Sequence, residues 1–248
     1  MDSIANSAPT ANRITGVGVL DRSVLLLELL ADGPRSLRWL SESSRLPRPT
    51  AHRLLVALEA HGLVARDAAG AFRLGPRLAE LAFRADPAMD LAALAGPVLA
   101  RLHDATGESV QLYIRSGDKR LCIAARDSGT GLRDSVPVGA VLPLAAGSGG
   151  KVLLAWAADA GRLAVPAGEG VPADELAAIR ERGWSASVAE REPGVASVSA
   201  PVLRPDGTVA AALCVSGPVS RLGQASGRRL SPVVIAAAEE LAAGLAGP

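Results

Sequence analysis

The sequence predicts an α+β chain of two domains, an N-terminal winged helix-turn-helix followed by a mixed α/β unit. Three observations carry this. Three amphipathic helical segments run into a short alternating stretch between residues 16 and 75, and after residue 86 apolar strands with period-two patterning are interleaved with helices. The charge is also divided: up to residue 84 there are 11 basic and 8 acidic residues, against 15 and 17 beyond it, for a net charge of +1. A length of 248 residues with 49% hydrophobic and 21% charged residues suits two globular domains and excludes a disordered or fibrous chain.

Taken in order, residues 1–15 (MDSIANSAPTANRIT) are small, polar and aperiodic, and are expected to form a disordered arm. In DRSVLLLELLADG, Val24, Leu27 and Leu30 share a face, with Asp21 as candidate N-cap and Gly33-Pro34 as the stop. Ser36 opens a short second helix, SLRWLSESSR. After Leu46-Pro47-Arg48-Pro49, the stretch TAHRLLVALEAHG places Leu54, Leu55 and Leu58 at helical spacing and ends at Gly62. LVARDAAGAFRLG alternates about Asp67-Ala68-Ala69-Gly70, the pattern of a hairpin, so residues 16–75 read as three helices and a wing. A linker helix is expected over residues 76–85, and the composition shift at Asp86-Pro87 sets the boundary of a second domain, 86–248.

That domain opens with the helix ALAGPVLARLHDATG. Two antiparallel strands follow, SVQLYIR and KRLCIAAR, about the turn Ser116-Gly117-Asp118. Residues 132–138 are expected as a further strand, GGKVLLAWAA as a helix entered through glycines, and ADELAAIRERG as a helix closed by Gly183. VASVSAPVLR and TVAAALCVSG are strands joined at Pro205-Asp206-Gly207, and SPVVIAAAEELAAGLA is the final helix.

The composition removes several functions. Cys122 and Cys214 lie 92 residues apart without CxxC spacing, no signal-peptide pattern follows Met1, and no apolar run approaches the roughly 20 residues of a membrane span. A soluble protein of a reducing cytoplasm is expected. The three histidines, His52, His61 and His103, leave the last 145 residues without any, so no histidine-based triad, metal centre or cofactor is expected there.

In a helix-turn-helix the third helix lies in the major groove, its first residues at base edges. Arg48, Thr50, Ala51, His52 and Arg53 occupy those places. Arg45, Arg48 and Arg53 stand between Glu42 and Glu59 with no acidic residue among them, the electrostatic footprint a polyanion requires. Arginine also suits guanine edges. Arg66 and Arg73 flank the wing tip, either reaching phosphates or lying as solvated charge. Double-stranded DNA is therefore the expected partner.

The stretch Gly147-Ser148-Gly149-Gly150-Lys151 lacks a phosphate loop's outer residues, since Ala145 and Val152 stand where a glycine and a hydroxyl are needed. Glycines leading into a helix still expose backbone N–H groups, which suits either a small carboxylate or simple capping. Glu190-Arg191-Glu192-Pro193-Gly194 has no identifiable base or nucleophile beside it and is expected to be a surface loop. Cys122 and Cys214 are expected as small buried hydrophobes, with Cys214 and Ser216 on one side of their strand.

GVGVLDRSVLLLELLADG, LPRPTAHRLLVALEAHGLV and FRLGPRLAELA resemble the DNA-binding half of the IclR-type bacterial transcription regulators. RDSVPVGAVLPLAAGSGGKVLLAW, IRERGWSASVAEREPGVASVSAPV and VAAALCVSGPVSRL resemble their effector-binding half in order and spacing. The resemblance runs from about residue 16 to the end. It implies a winged helix-turn-helix joined by a linker helix to a GAF-like α/β sensor of small organic or aromatic acids, in homodimers or dimers of dimers. Carried over by position, the effector pocket would take Leu142, Ser148, Gly149, Ser187, Ser197, Cys214 and Ser216, with Gly131 and Asp134 near its mouth. Relatives that bind glyoxylate or pyruvate carry an acidic residue at the Ser187 position and a serine at the Cys214 position, which implies a less polar pocket here, for a larger apolar acid or an amino acid. The EREPGVASVSAPV run looks most like actinobacterial members tied to amino-acid metabolism, such as leucine biosynthesis.

The function expected is that of a sequence-specific transcription regulator controlled by a small carboxylate-bearing effector. An enzyme with an appended DNA-binding domain lacks a nucleophile and base. A DNA-bound scaffold whose second domain only oligomerises or docks a partner is the alternative.

Overall fold

Ser36 gives the helix-turn-helix its first fixed corner: its Oγ accepts a hydrogen bond from the Trp39 N–H at 3.2 Å and caps α2 (Leu37–Ser44). The computed structural model describes residues 15–85, 88–129, 134–157 and 170–245. It divides into two units, Met1–Asp86 and Pro87–Pro248. Residues 1–14 of the expected arm and the Asp86-Pro87 boundary lie outside the described residues.

In the first unit α1 (Gly18–Leu29) begins earlier than the sequence suggests. Asp21 does not cap it; its carboxylate accepts from the Thr15 Oγ at 2.7 Å and the Thr15 N–H at 3.1 Å. After α2, Arg45 takes the left-handed conformation (φ 55°) and turns the chain. α3 (Arg48–Ala60) starts two residues before Thr50, because the Pro47 carbonyl accepts from the Thr50 and Ala51 N–H groups and Pro49, in the first turn, has no N–H to strand. Leu26, Leu30, Leu40, Leu55 and Leu58 close the core under Phe72.

The wing is the antiparallel pair β1 (Val64–Arg66) and β2 (Phe72–Leu74), with Arg35 bridging to Phe72 at its edge. Asp67 Oδ1 accepts from the N–H groups of Ala69 and Ala71 and shapes the tip. α4 (Pro76–Ala85) is pinned where Gly75 N–H donates to Leu63 O and Arg77 N–H to Gly62 O. A Cβ at Gly75 would stand 2.1 Å from the Gly62 carbonyl oxygen, so only glycine allows this approach.

The second unit starts with α5 (Ala88–Thr106), then β3 (Ser109–Ser116), β4 (Lys119–Arg126), β5 (Val141–Pro143), α6 (Ser148–Ala155) and α7 (Ala173–Arg182). β6 (Ser185–Val188), β7 (Val195–Leu203), β8 (Val209–Pro218), a single turn α8 (Val219–Leu222) and α9 (Ser226–Leu245) complete it. The strands form one antiparallel sheet in the order β5-β4-β3-β8-β7-β6. Leu91, Leu99, Val234 and Leu241 of α5 and α9 pack on one face against Leu112, Val198 and Leu213. α6, backed by α7, covers the other face, where Val152, Leu153 and Ile179 belong to the cluster containing Tyr113, Cys122 and Cys214. This is the α+β, GAF-like organisation the sequence predicts.

Four elements differ from expectation. Residues 134–138 are irregular and not a strand, and residues 132 and 133 lie outside the described residues. Pro137 lacks an N–H, and the chain joins the sheet edge only where Gly139 N–H donates to Cys122 O and Cys122 N–H to Ala140 O. β6 and α8 are unanticipated four-residue elements. α9 begins five residues before Ser231 and runs through Pro232, because Leu230, Val234, Ala238 and Leu241 keep one continuous buried face that outweighs the lost N–H. Among the described residues no helix is long and apolar enough to cross a membrane.

Candidate functional site

α3 has two unlike faces. Ala51, Leu55 and Leu58, spaced four and three apart, are buried, while Arg48, His52, Arg53 and Val56 are exposed and Thr50 is half-buried. Ala51 is therefore removed from the expected DNA contacts: at 0% exposure its methyl is part of the core and cannot reach a base edge. Arg45 stands exposed on the turn before α3. The wing arginines part company. Arg66 donates to both Glu59 carboxylate oxygens at 3.2 Å and lies over the Phe72 ring, 4.4 Å from its centre, so it braces the wing against α3. Arg73, one residue from the inward Phe72, is exposed on the opposite side of the strand.

In the second unit a cavity opens between the start of α6 and the sheet, about 330 Å³ with its mouth included. Strand register builds its floor. Ser187, Ser197, Ser216 and Ser109 stand side by side across β6, β7, β8 and β3, and Ser185, Ser199, Cys214 and Gln111 form the next row. Ser148, the first residue of α6, reaches down into these rows. Its Oγ lies 2.7 Å from Ser197 Oγ, 2.8 Å from Ser199 Oγ and 3.9 Å from Cys214 Sγ, and Ser187 Oγ is 2.9 Å from Ser197 Oγ. Ser216 Oγ donates to Gln111 Oε1 at 3.0 Å, leaving the buried Gln111 Nε2 without a partner.

Backbone geometry sets α6 this deep. Gly147 has φ +86°, and a Cβ at Gly150 would come 2.0 Å from the Leu144 carbonyl oxygen. The helix start already carries a carboxylate: Gly147 N–H donates to Glu190 Oε2 at 3.1 Å, and Lys151 Nζ donates to Glu190 Oε1 and Glu175 Oε1 at 2.7 and 2.8 Å. Lys151 is thus spent on carboxylates; burial alone would lower its pKa, and the two glutamates raise it. The next residue, Arg191, pairs with the buried Asp134. Residues 190–194 are expected as a surface loop; instead Glu190 and Arg191 tie that segment across the cavity, with Glu192 at its rim.

Of the nine residues assigned to an effector pocket, Asp134, Ser148, Gly149, Ser187, Ser197, Cys214 and Ser216 line this one cavity. Leu142 does not reach it; as the β5 residue opposite Arg120 it packs on the apolar cluster beside α6. Gly131 lies outside the described residues. Gly147, noted in the sequence as part of the glycine-led turn, also lines it, whereas sequence reasoning did not assign Tyr113, Arg120, Arg191, Glu192 and Val195, which complete the lining. Arg120 and Arg191 bring two guanidinium groups into the wall. Burial pushes the Tyr113 phenol and the Cys214 thiol up and the Cys122 thiol up to about 12, so all three are uncharged near neutral pH. Among the described residues no group of three His, Cys, Asp or Glu side chains gathers as a metal site.

Two family profiles match the chain. "IclR helix-turn-helix domain" covers residues 19–68, and "Bacterial transcriptional regulator IclR C-terminal" covers 85–165 and 173–243. The HTH-type transcriptional regulator BhcR of Paracoccus denitrificans is 33% identical over 93% of this chain and 88% of its own. The DNA-binding transcriptional repressor YiaJ of Escherichia coli is 31% identical over 90% and 86%. Among solved structures, an IclR homolog from Microbacterium hydrocarbonoxydans complexed with 4-hydroxybenzoate is 25% identical, with a TM-score of 0.76 over 93% of this chain and all of that one.

Proposed function

The chain belongs to the IclR family of bacterial transcriptional regulators, and from that premise we propose that it binds operator DNA through the outward face of α3 and senses a small carboxylic acid in the cavity beneath α6. The observation that carries the sensing half is Ser148: the first residue of α6 sits within hydrogen-bond distance of two strand serines, in a cavity roofed by the Glu190 and Arg191 ties. A ligand there must meet α6, the floor strands and the 189–194 segment together. Such a ligand shifts the equilibrium between two arrangements of the protein by its difference in affinity for them.

Arg45, Arg48, Thr50, His52 and Arg53 are the DNA-contacting set, with Arg73 from the wing on phosphate. The relative with 4-hydroxybenzoate bound supports an acid of that general size and charge. The likeness of the EREPGVASVSAPV run supports an acid from amino-acid metabolism, leucine biosynthesis included. The protein works in the cytoplasm as a homodimer or dimer of dimers, with residues 16–75 on DNA, 76–85 linking and 86–248 sensing. It has no catalytic role.

Selection of sites from fragmented genomic DNA with the full chain, followed by salt titration on the selected and on random DNA, tests the first half. A palindromic site held at least a thousandfold more tightly than random sequence is the expected result, on the scale of roughly 10³ to 10⁷ for specific regulators. Equal affinity for both DNAs, with and without added acids, refutes it.

A further inference from the structure

We propose that Arg120 is the specificity-determining residue of the cavity, the cation that receives the carboxylate of a small monoanionic acid. This rests on the sensing role given above and moves charge recognition away from the α6 start, where the glycine-led turn suggests it.

Arg120 is the second residue of β4, on the same side of the strand as Cys122 and therefore turned toward the cavity. It is only 3% exposed. Its Nη1 donates to the carbonyls of Pro143 and Ala146, its guanidinium lies 5.1 Å from the centre of the Tyr113 ring, and its buried Nε has no partner. Nη2 faces the start of α6, where a Cβ built on Gly147 would stand 3.2 Å from it, so a hydrogen is all that Gly147 places between them.

A buried guanidinium stays charged and costs several kcal/mol of desolvation unless an anion answers it. Burial indeed pulls its pKa down. The other cations around the cavity are matched: Arg191 has Asp134 and Glu192, and Lys151 has Glu175 and Glu190. Among the described residues no carboxylate stands within ion-pair distance of Arg120. Arg120 is therefore the cation in this lining left without a carboxylate partner of its own, with the hydroxyls of Ser187 and Ser197 in the same lining to accept or donate. A monocarboxylate fits that deficit. A dicarboxylate or a phosphate dianion brings a second charge that no free cation among the described residues of the lining meets, and an amide brings none.

The alternative is that Arg120 only ties the 143–146 segment to β4. Matched acids and amides separate the two roles, since a structural tie cannot discriminate between them. Thermal shift and calorimetry on the full chain would use benzoate with benzamide, 4-hydroxybenzoate with 4-hydroxybenzamide, and isovalerate with isovaleramide, at constant ionic strength. At least one acid is expected to stabilise the wild type while its amide does not. Arg120→Met should weaken that acid tenfold or more and erase the preference, the scale expected of a charge-assisted contact of about 1.5–3 kcal/mol. Arg120→Lys should retain part of it, and it serves if the methionine variant fails to fold. A folded variant without the guanidinium that keeps the full acid-to-amide ratio overturns the Arg120 assignment and leaves the sensing role intact. If no acid stabilises the wild type, both fall.

Discussion

The Glu190 carboxylate accepts a hydrogen bond from the Gly147 N–H at 3.1 Å, across 43 residues of sequence, so the glycine-led start of α6 carries an internal anion. With Lys151 on its other oxygen and Arg191 on Asp134, the turn between β6 and β7 is held over the cavity at two points. Ligand entry is expected to depend on how fast those ties yield.

Glu190→Gln keeps the shape and removes the charge. Partly exposed pairs of this kind contribute about 0.5–1 kcal/mol. Association of an acid ligand should accelerate about two- to fivefold in stopped-flow mixing, with the operator affinity of the unliganded protein unchanged. Slower entry would mean that Glu190 guides the ligand in.

Arg48→Ala and Arg53→Ala should each weaken specific operator binding about tenfold or more if they contact a base, or lower the salt slope by about one if they contact a phosphate. Anisotropy titrations at several salt concentrations separate the two. Ala51→Leu is expected to act differently, costing about 1–3 kcal/mol of stability by overpacking the core on which α3 rests. Wild-type affinity in both arginine variants would remove α3 from the groove.

Ser148→Phe places a ring where Ser197 and Ser199 lie within 2.8 Å of the present hydroxyl. Loss of ligand response with retained operator binding is expected in a gel-shift series with and without the stabilising acid. A variant that still responds would put the ligand elsewhere.

The Cys122 thiol, raised by burial from 9.0 to about 12, links stability to alkaline pH. Its folded form holds the proton more tightly than the unfolded chain. The contribution is therefore full below about pH 9 and is lost as pH rises toward 12, at up to about 1.4 kcal/mol per pH unit. Cys214 is shifted the same way by burial and steepens the decline. Urea midpoints at pH 8 and pH 10 should differ by more in the wild type than in Cys122→Ala; equal differences would show that the thiol titrates normally.

What the sequence discloses follows the range of the interactions. α3, the wing and the β3–β4 and β7–β8 hairpins were legible because helical periodicity and turns such as Ser116-Gly117-Asp118 are written within ten residues of one another. The onset of α1 was not, since Asp21 is occupied by Thr15 and not by the helix end. The seven cavity residues placed by resemblance lie on α6, on the floor strands and at Asp134, yet the cations of the lining, Arg120 and Arg191, were missed. Arg120 reads as a turn-proximal basic residue in KRLCIAAR, and only its shared parity with Cys122 hints that it turns inward. The rows Ser187-Ser197-Ser216 and Ser185-Ser199-Cys214 depend on pairing between residues up to 19 apart, although serines two apart in SAS and SVS were a visible sign.

The floor of hydroxyls has one more property. Each serine Oγ is a rotor that can donate or accept, and the contacts of Ser148 with Ser199, and of Ser187 with Ser197, can run in either direction. Turning one proton obliges its neighbours to turn as well. The chain Ser187-Ser197-Ser148-Ser199 can therefore take on the sense an arriving ligand atom imposes, a relay joining β6, β7 and α6 that moves no heavy atom.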